Sequence, residues 1–197
     1  MSAFTLNSSH AQVKQMNSQL RSEFKDAEAR HWTTKEFSVL LTHDKSAQTR
    51  IDVARVCYDN ETRAVDEAID AIFEIYPYHD CHEFSTEKCA RDVTNVSTYA
   101  IHSMLIDDLD WFNEKLLFWL RTILQSFDFP ARSKPKETLM FGNSEITEII
   151  NSLPAGRQSI FETYYLLEEN YKKHLSEEQF EIFRPFISTV KDLLAGE

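Results

Sequence analysis

Glu87-Lys88-Cys89-Ala90-Arg91-Asp92, followed by Val93, Val96, Ala100, Met104 and Leu105, is the stretch on which the fold turns. The apolar residues recur at helical spacing, and Thr86 is the predicted N-cap of the helix they define. Cys89 is then expected in the first helical turn. There the unpaired N–H groups and the positive end of the dipole favour a thiolate, with Lys88 and Arg91 adding positive charge. Cys89 and Asp92 are three apart and share a helix face, while Arg91 points elsewhere unless its side chain curls back. Such an arrangement suits a bound group better than a catalytic triad. The thiol can attach an electrophilic cofactor, Asp92 can accept hydrogen bonds from its N–H groups, and Arg91 can pair with a carboxylate. A half-buried cysteine beside an ordinary surface ion pair is the plainer alternative, and these six residues alone favour it.

Upstream of this stretch, Val13, Met16, Leu20, Phe24 and Ala27 form a narrow apolar stripe on a charged helix, suited equally to a partner or to the chain's own domain. Thr33 and Glu36 make a capping-box pattern that opens a short helix through Phe37, Leu40 and Leu41. Ile51, Ala54 and Tyr58 continue a helical pattern, Val65 to Tyr76 give a cleaner one, and Pro77 stops it. The segment beyond it, Tyr78-His79-Asp80-Cys81-His82-Glu83-Phe84, crowds metal-ligand types together without the paired spacing of a zinc site.

Downstream, the central helix is predicted to end near Ile106, and Asp107-Asp108-Leu109-Asp110 supplies capping charge for the next. That next helix, Trp111 to Phe127, is apolar over more than half its circumference and is predicted to be buried on two sides. Helical patterns resume at Ile146 to Leu153, break at Pro154, run on through Leu167, and restart at a second capping box, Ser176 and Gln179. No strand is needed. Seven or eight helices of uneven length predict an all-α, globin-like domain. A globin raises the question of haem, but His102 and His174 make poor proximal ligands and read better as satisfied or exposed histidines.

The chain has 197 residues, with 42% hydrophobic and 12% aromatic residues and only 3 Gly and 5 Pro, which suits one helical domain. A net charge of −11 excludes a basic stripe for nucleic acid. No run of apolar residues is long enough to span a bilayer, and the polar start lacks a secretory signal, so a soluble intracellular protein is expected. Three irregularly spaced cysteines predict reduced thiols.

Lys88-Cys89-Ala90-Arg91-Asp92 resembles the chromophore-attachment signature of the phycobiliproteins, the subunits of the phycobilisome antenna. Arg30-His31-Trp32-Thr33-Thr34-Lys35-Glu36-Phe37 is similar to the segment that opens the family's first globin helix. Ile75-Tyr76-Pro77-Tyr78 and Ser126-Phe127-Asp128 are similar to two of its helix endings. The likeness covers residues 12–130 in consistent order and spacing. It implies a globin-like phycobiliprotein fold over residues 30–197, preceded by a partner-docking helical extension at 1–29. It also implies a bilin, a phycocyanobilin-like linear tetrapyrrole, bound through a thioether at Cys89. Asp92 would then hydrogen-bond the central pyrrole N–H groups, and Lys88 and Arg91 would pair with the propionates. The implied partners are other phycobiliprotein-type subunits or antenna linker proteins, in homo- or hetero-oligomers. The implied location is the cytoplasmic side of the thylakoid membrane.

The chain departs from the family pattern in four places. Asn95-Val96 stands where a tyrosine pair is usual, the loop from Tyr78 to Cys89 is short, Trp119 replaces a small residue, and the tail after Pro130 is long. A divergent member is expected, either holding a bilin in light harvesting or its regulation, or acting as a chromophore-free adaptor for antenna components. An enzyme using Cys89 as nucleophile ranks last, since no orienting acid is evident.

Overall fold

The computed structural model describes residues 21–76 except 23 and 29, residues 85–127, residue 129 and residues 144–196. All regular structure among these residues is helical, as the sequence predicts. Residues 21–22 are helical, and a 3-10 turn, Lys25–Ala27, precedes α1 (Thr34–His43). After another short turn at Lys45–Ala47 come α2 (Gln48–Ile75) and α3 (Ser85–Ile106). Then come α4 (Leu109–Phe112), a π-helical turn (Asn113–Leu117) and α5 (Phe118–Leu124). The last three helices are α6 (Ser144–Ser152), α7 (Ala155–His174) and α8 (Glu177–Ala195).

The core is made where α2 packs on α3 and α7, and α8 covers α7 and α3. Ile51, Ala54, Ala64, Val65, Ala68, Ile69 and Ile72 form the inner stripe of α2. They meet Val93, Val96, Ala100, Ile101, Met104 and Leu105 of α3. Each large side chain here contributes about 1.5–3 kcal/mol by leaving water. Polar ties fix the register of these helices. Thr98 donates to Glu61 at 3.0 Å, the Ser97 and Tyr171 hydroxyls meet at 2.6 Å, and Asn170 donates to the Ala64 carbonyl at 3.1 Å.

The helix ends obey local chemistry. Both capping boxes form, Thr33 with Glu36 and Ser176 with Gln179. Tyr76 ends α2 in an extended conformation, as the steric demand of the adjoining Pro77 requires. The two helical patterns read at 51–58 and 65–76 are one continuous helix. Between them Asp59, Thr62 and Arg63 lie on its exposed face, and Glu61, which turns inward, is held by hydrogen bonds. α8 continues through Pro185.

Asp107 ends α3 in a left-handed conformation, φ 51°, at the position glycine fills most often. Its N–H reaches the Met104 carbonyl and that of Asp108 reaches the Ser103 carbonyl, closing the helix end. Asp108 then caps α4 by accepting from the Trp111 N–H at 2.9 Å. Its other oxygen is held by Arg21 at 2.6 Å, tying the first described residues to the α3–α4 corner.

Two expectations are corrected. The Trp111–Phe127 segment is buried on one side only: Trp111, Phe112, Leu117 and Leu120 face the core. Phe118, Trp119 and Phe127 are 52%, 61% and 54% exposed. The π-helical turn inserts an extra residue before Phe118 and rotates the helix beyond it out of the expected register. Of the N-terminal stripe, Phe24 and Ala27 are buried against the chain's own domain, the Phe24 ring tilted against Trp32 with centroids 4.0 Å apart. The remaining stripe residues lie outside the described ones.

Replacing Asp108 by Ala removes a cap and leaves Arg21 without its buried partner. The expected loss is about 2–3 kcal/mol in urea titration, with Asp108→Asn losing less because it keeps a capping oxygen. An unchanged midpoint would contradict the corner's role. Glu36 is held down to about 2, first by its hydrogen bond with Arg30 and then by Thr33. A depressed carboxyl stabilises the fold fully above its unfolded value and loses that contribution as pH falls from about 4.5 toward 2. The melting-temperature gap between wild type and Glu36→Gln should therefore narrow across that window.

Candidate functional site

α3 begins at Ser85, so Thr86 lies inside the helix and Cys89 is its fifth residue. This corrects the expected cap. Only the first four N–H groups of a helix are unpaired, so Cys89 sits beyond the amides that would have steadied a thiolate. The expected lowering of its pKa is reversed. Burial, and then the negative charge of Asp92 one turn on, push the thiol up to about 12. The side chain is half-buried, packed at the edge of the core beside Ala90.

The neighbours are placed by the same helical geometry. Asp92 shares the Cys89 face, as expected. Arg91 does curl back: its Nε and Nη2 donate to Asp92 Oδ1 at 2.9 and 2.8 Å. The pair is solvent-exposed, with Arg91 at 66% and Asp92 at 39%. Lys88 is exposed one position before Cys89. The structure thus brings Cys89, Arg91 and Asp92 into one electrostatic group at the open end of α3. Two solvated charges flank a shielded thiol, an arrangement that can hold an anionic or N–H-bearing ligand but does not activate a nucleophile.

The His- and Cys-containing segment 78–84 lies outside the described residues. Among the described ones, no group of three or more His, Cys, Asp or Glu is arranged to hold a metal ion. Cys57 is fully buried, and burial raises its thiol, so it is chemically quiet.

His102 departs from its expected satisfied or exposed state. It is 1% exposed, and neither ring nitrogen has a hydrogen-bond partner among the described residues. Burial, then the His31 charge, press its pKa down to about 3. The Arg30 backbone favours the charged ring but lies outside hydrogen-bond geometry. The ring is enclosed by Trp32, Tyr58 and Tyr99. His174, at the end of α7, has Nε2 4.0 Å from a Glu67 oxygen.

Sequence reading misses two further features. Glu61 is a buried carboxylate held between His31 Nε2 and the Thr98 hydroxyl, with His31 stacked on Tyr58. Nothing in a lone Glu on a long helix signals that role. The exposure of Phe118, Trp119 and Phe127 is hidden because an apolar stripe reads as core whichever way a π turn rotates it.

Residues 23–136 match the family model described as phycobilisome protein, more than half of the chain. No curated protein matches the chain.

The raised thiol has a direct readout. At neutral pH the Cys89 thiolate is about a thousandfold scarcer than for a thiol near its ordinary value. Maleimide labelling of the native protein, read by mass spectrometry, should therefore mark Cys89 slowly. Asp92→Asn should speed that labelling by removing the opposing charge. Rapid wild-type labelling would show that the thiol is not shielded.

Proposed function

The chain belongs to the phycobilisome protein family, and from that premise we propose that it carries a bilin covalently at Cys89 in photosynthetic light harvesting or its regulation. The supporting observation is the open end of α3. Cys89 is anchored at the core edge while Arg91 and Asp92 stand in solvent beside it. These residues fit the group. Both Arg91 bonds fall on Asp92 Oδ1, and no described residue donates to Oδ2, so Asp92 can accept pyrrole N–H groups without releasing Arg91. Arg91 and Lys88 would pair with the propionates. When bound, the tetrapyrrole supplies visible absorption that a rigid pocket returns as emission or transfer.

The chain's own part is to bind and orient. Cys89 would fix one end through a thioether, Asp92 would hold the centre, and the two cations would anchor the acidic side chains. Because burial and Asp92 disfavour the thiolate, attachment would be slow unaided, which suits a dedicated attaching enzyme. In this reading the residue 1–29 extension, through Val13, Met16 and Leu20, docks on other phycobiliprotein-type subunits or antenna linker proteins. Among the described residues no helix is long and apolar enough to cross a membrane, in keeping with a peripheral place at the thylakoid surface.

A second reading, a chromophore-free adaptor, is favoured by one observation, the exposure of Phe118, Trp119 and Phe127. Large exposed aromatics are costly unless a partner covers them.

Co-expression with bilin synthesis and attaching enzymes, read by zinc-enhanced fluorescence on a denaturing gel, separates the two. The pigment reading expects a fluorescent band that Cys89→Ala abolishes. A dark wild-type band with Cys89 unmodified by mass spectrometry overturns it. The adaptor reading then expects Trp119→Glu to weaken antenna binding while Cys89→Ala leaves it intact.

A further inference from the structure

Arg121 on α5 and Arg157 on α7 reach the same acceptor. Arg121 Nη2 donates to the Gly196 carbonyl at 3.3 Å and Arg157 Nη1 donates to it at 2.8 Å. Two guanidinium groups from different helices therefore stand side by side at the C-terminal end of α8. Both residues are half-buried. Neither has a carboxylate partner among the described residues, and in this they differ from every other described arginine. The others each hold a carboxylate oxygen within 3.4 Å. In a chain with a net charge of −11, the exception does not come from a shortage of acids.

The shared carbonyl does not balance the pair. The C-terminal end of a helix carries about half an elementary negative charge, against two whole positive charges here. Like charges partly withdrawn from water repel each other unless an anion joins them. Each guanidinium has five N–H donors, and the Gly196 carbonyl takes one from each. The donors left over can serve a ligand. A carboxylate is matched by a single guanidinium fork, whereas a tetrahedral oxyanion offers separate oxygens to two forks and carries charge enough for both. We propose that Arg121 and Arg157 form a binding site for a phosphate-class oxyanion, either free or as a phosphomonoester. The bound anion would tie α5 and α7 to the end of α8. Such a site neither requires nor excludes a pigment at Cys89.

Inorganic phosphate is the probe. In the full chain labelled with ¹⁵N-arginine, Arg121→Gln and Arg157→Gln assign the two side-chain signals. Phosphate exchanged for chloride at constant ionic strength should shift the Nε–H signals of Arg121 and Arg157 along saturating curves with one shared midpoint. Arg184, which is exposed and paired with Glu181 at 2.6 Å, should not follow them. Either Gln variant should weaken phosphate binding, read at the remaining arginine, about tenfold or more. Absence of a saturable shift in the wild type, a shift that Arg184 shares equally, or undiminished binding in the variants overturns the site. Should one variant fail to fold, the other still decides. Phosphate binding that emerges only in Glu197→Gln would assign the arginines to the chain's own carboxylate, which also overturns it. Phenyl phosphate separates the two carriers: its binding supports a phosphomonoester site, and binding of inorganic phosphate alone supports a site for the free ion.

Discussion

The burial of α3 is uneven along its length, and the rest of the molecule is arranged around that gradient. From Val96 to Ile106 every residue but Tyr99 is buried, enclosed by α2 and α8 and capped by the α4 corner. From Ser85 to Asp92 none is buried. One helix is therefore a core pillar at one end and carries the Cys89 stretch at its less buried other end. A group held at Cys89 is set on a rigid element, because moving it would require moving Met104 and Leu105 in the packed interior.

Polar contacts keep that pillar from slipping. Apolar stripes on α2 and α3 could pair in neighbouring registers with similar area buried, but the hydrogen bonds could not. Glu61 keeps His31 but loses its Thr98 partner if α3 moves by a residue, leaving one oxygen of a buried carboxylate unsatisfied, which is destabilising. Ser97 with Tyr171 and Asn170 with the Ala64 carbonyl impose the same condition on α7. These contacts select one arrangement of the core more than they strengthen it.

Much of this is legible in the sequence because it is local. Capping boxes, the proline stop after Tyr76 and the break at Pro154 depend on a few adjacent residues whose chemistry is read directly. The Cys89 signature and its flanking segments are legible by likeness, and the family match over residues 23–136 agrees. The failures are of another kind. The start of α3 is misread because Thr86 can cap a helix but need not, and nothing local decides between the two. The outward turn of Phe118 and Trp119 depends on one inserted π residue, which leaves no mark in an apolar periodicity. Glu61 and His102 become notable only through partners 30 or more positions away.

The position of the helix start changes the chemistry. A cysteine among unpaired amides would carry part of the cost of ionisation in the scaffold, and would react with many electrophiles unaided. Cys89, further into the helix and facing Asp92, is held as a thiol. In the proposed pigment site, the same carboxylate that suppresses the thiolate would also bind the ligand's N–H donors. On that proposal Asp92 would oppose attachment before the ligand is present and favour its retention afterwards. If Cys89 carries the proposed bilin, a thiol held this way would resist adventitious modification and would depend on an outside agent for attachment.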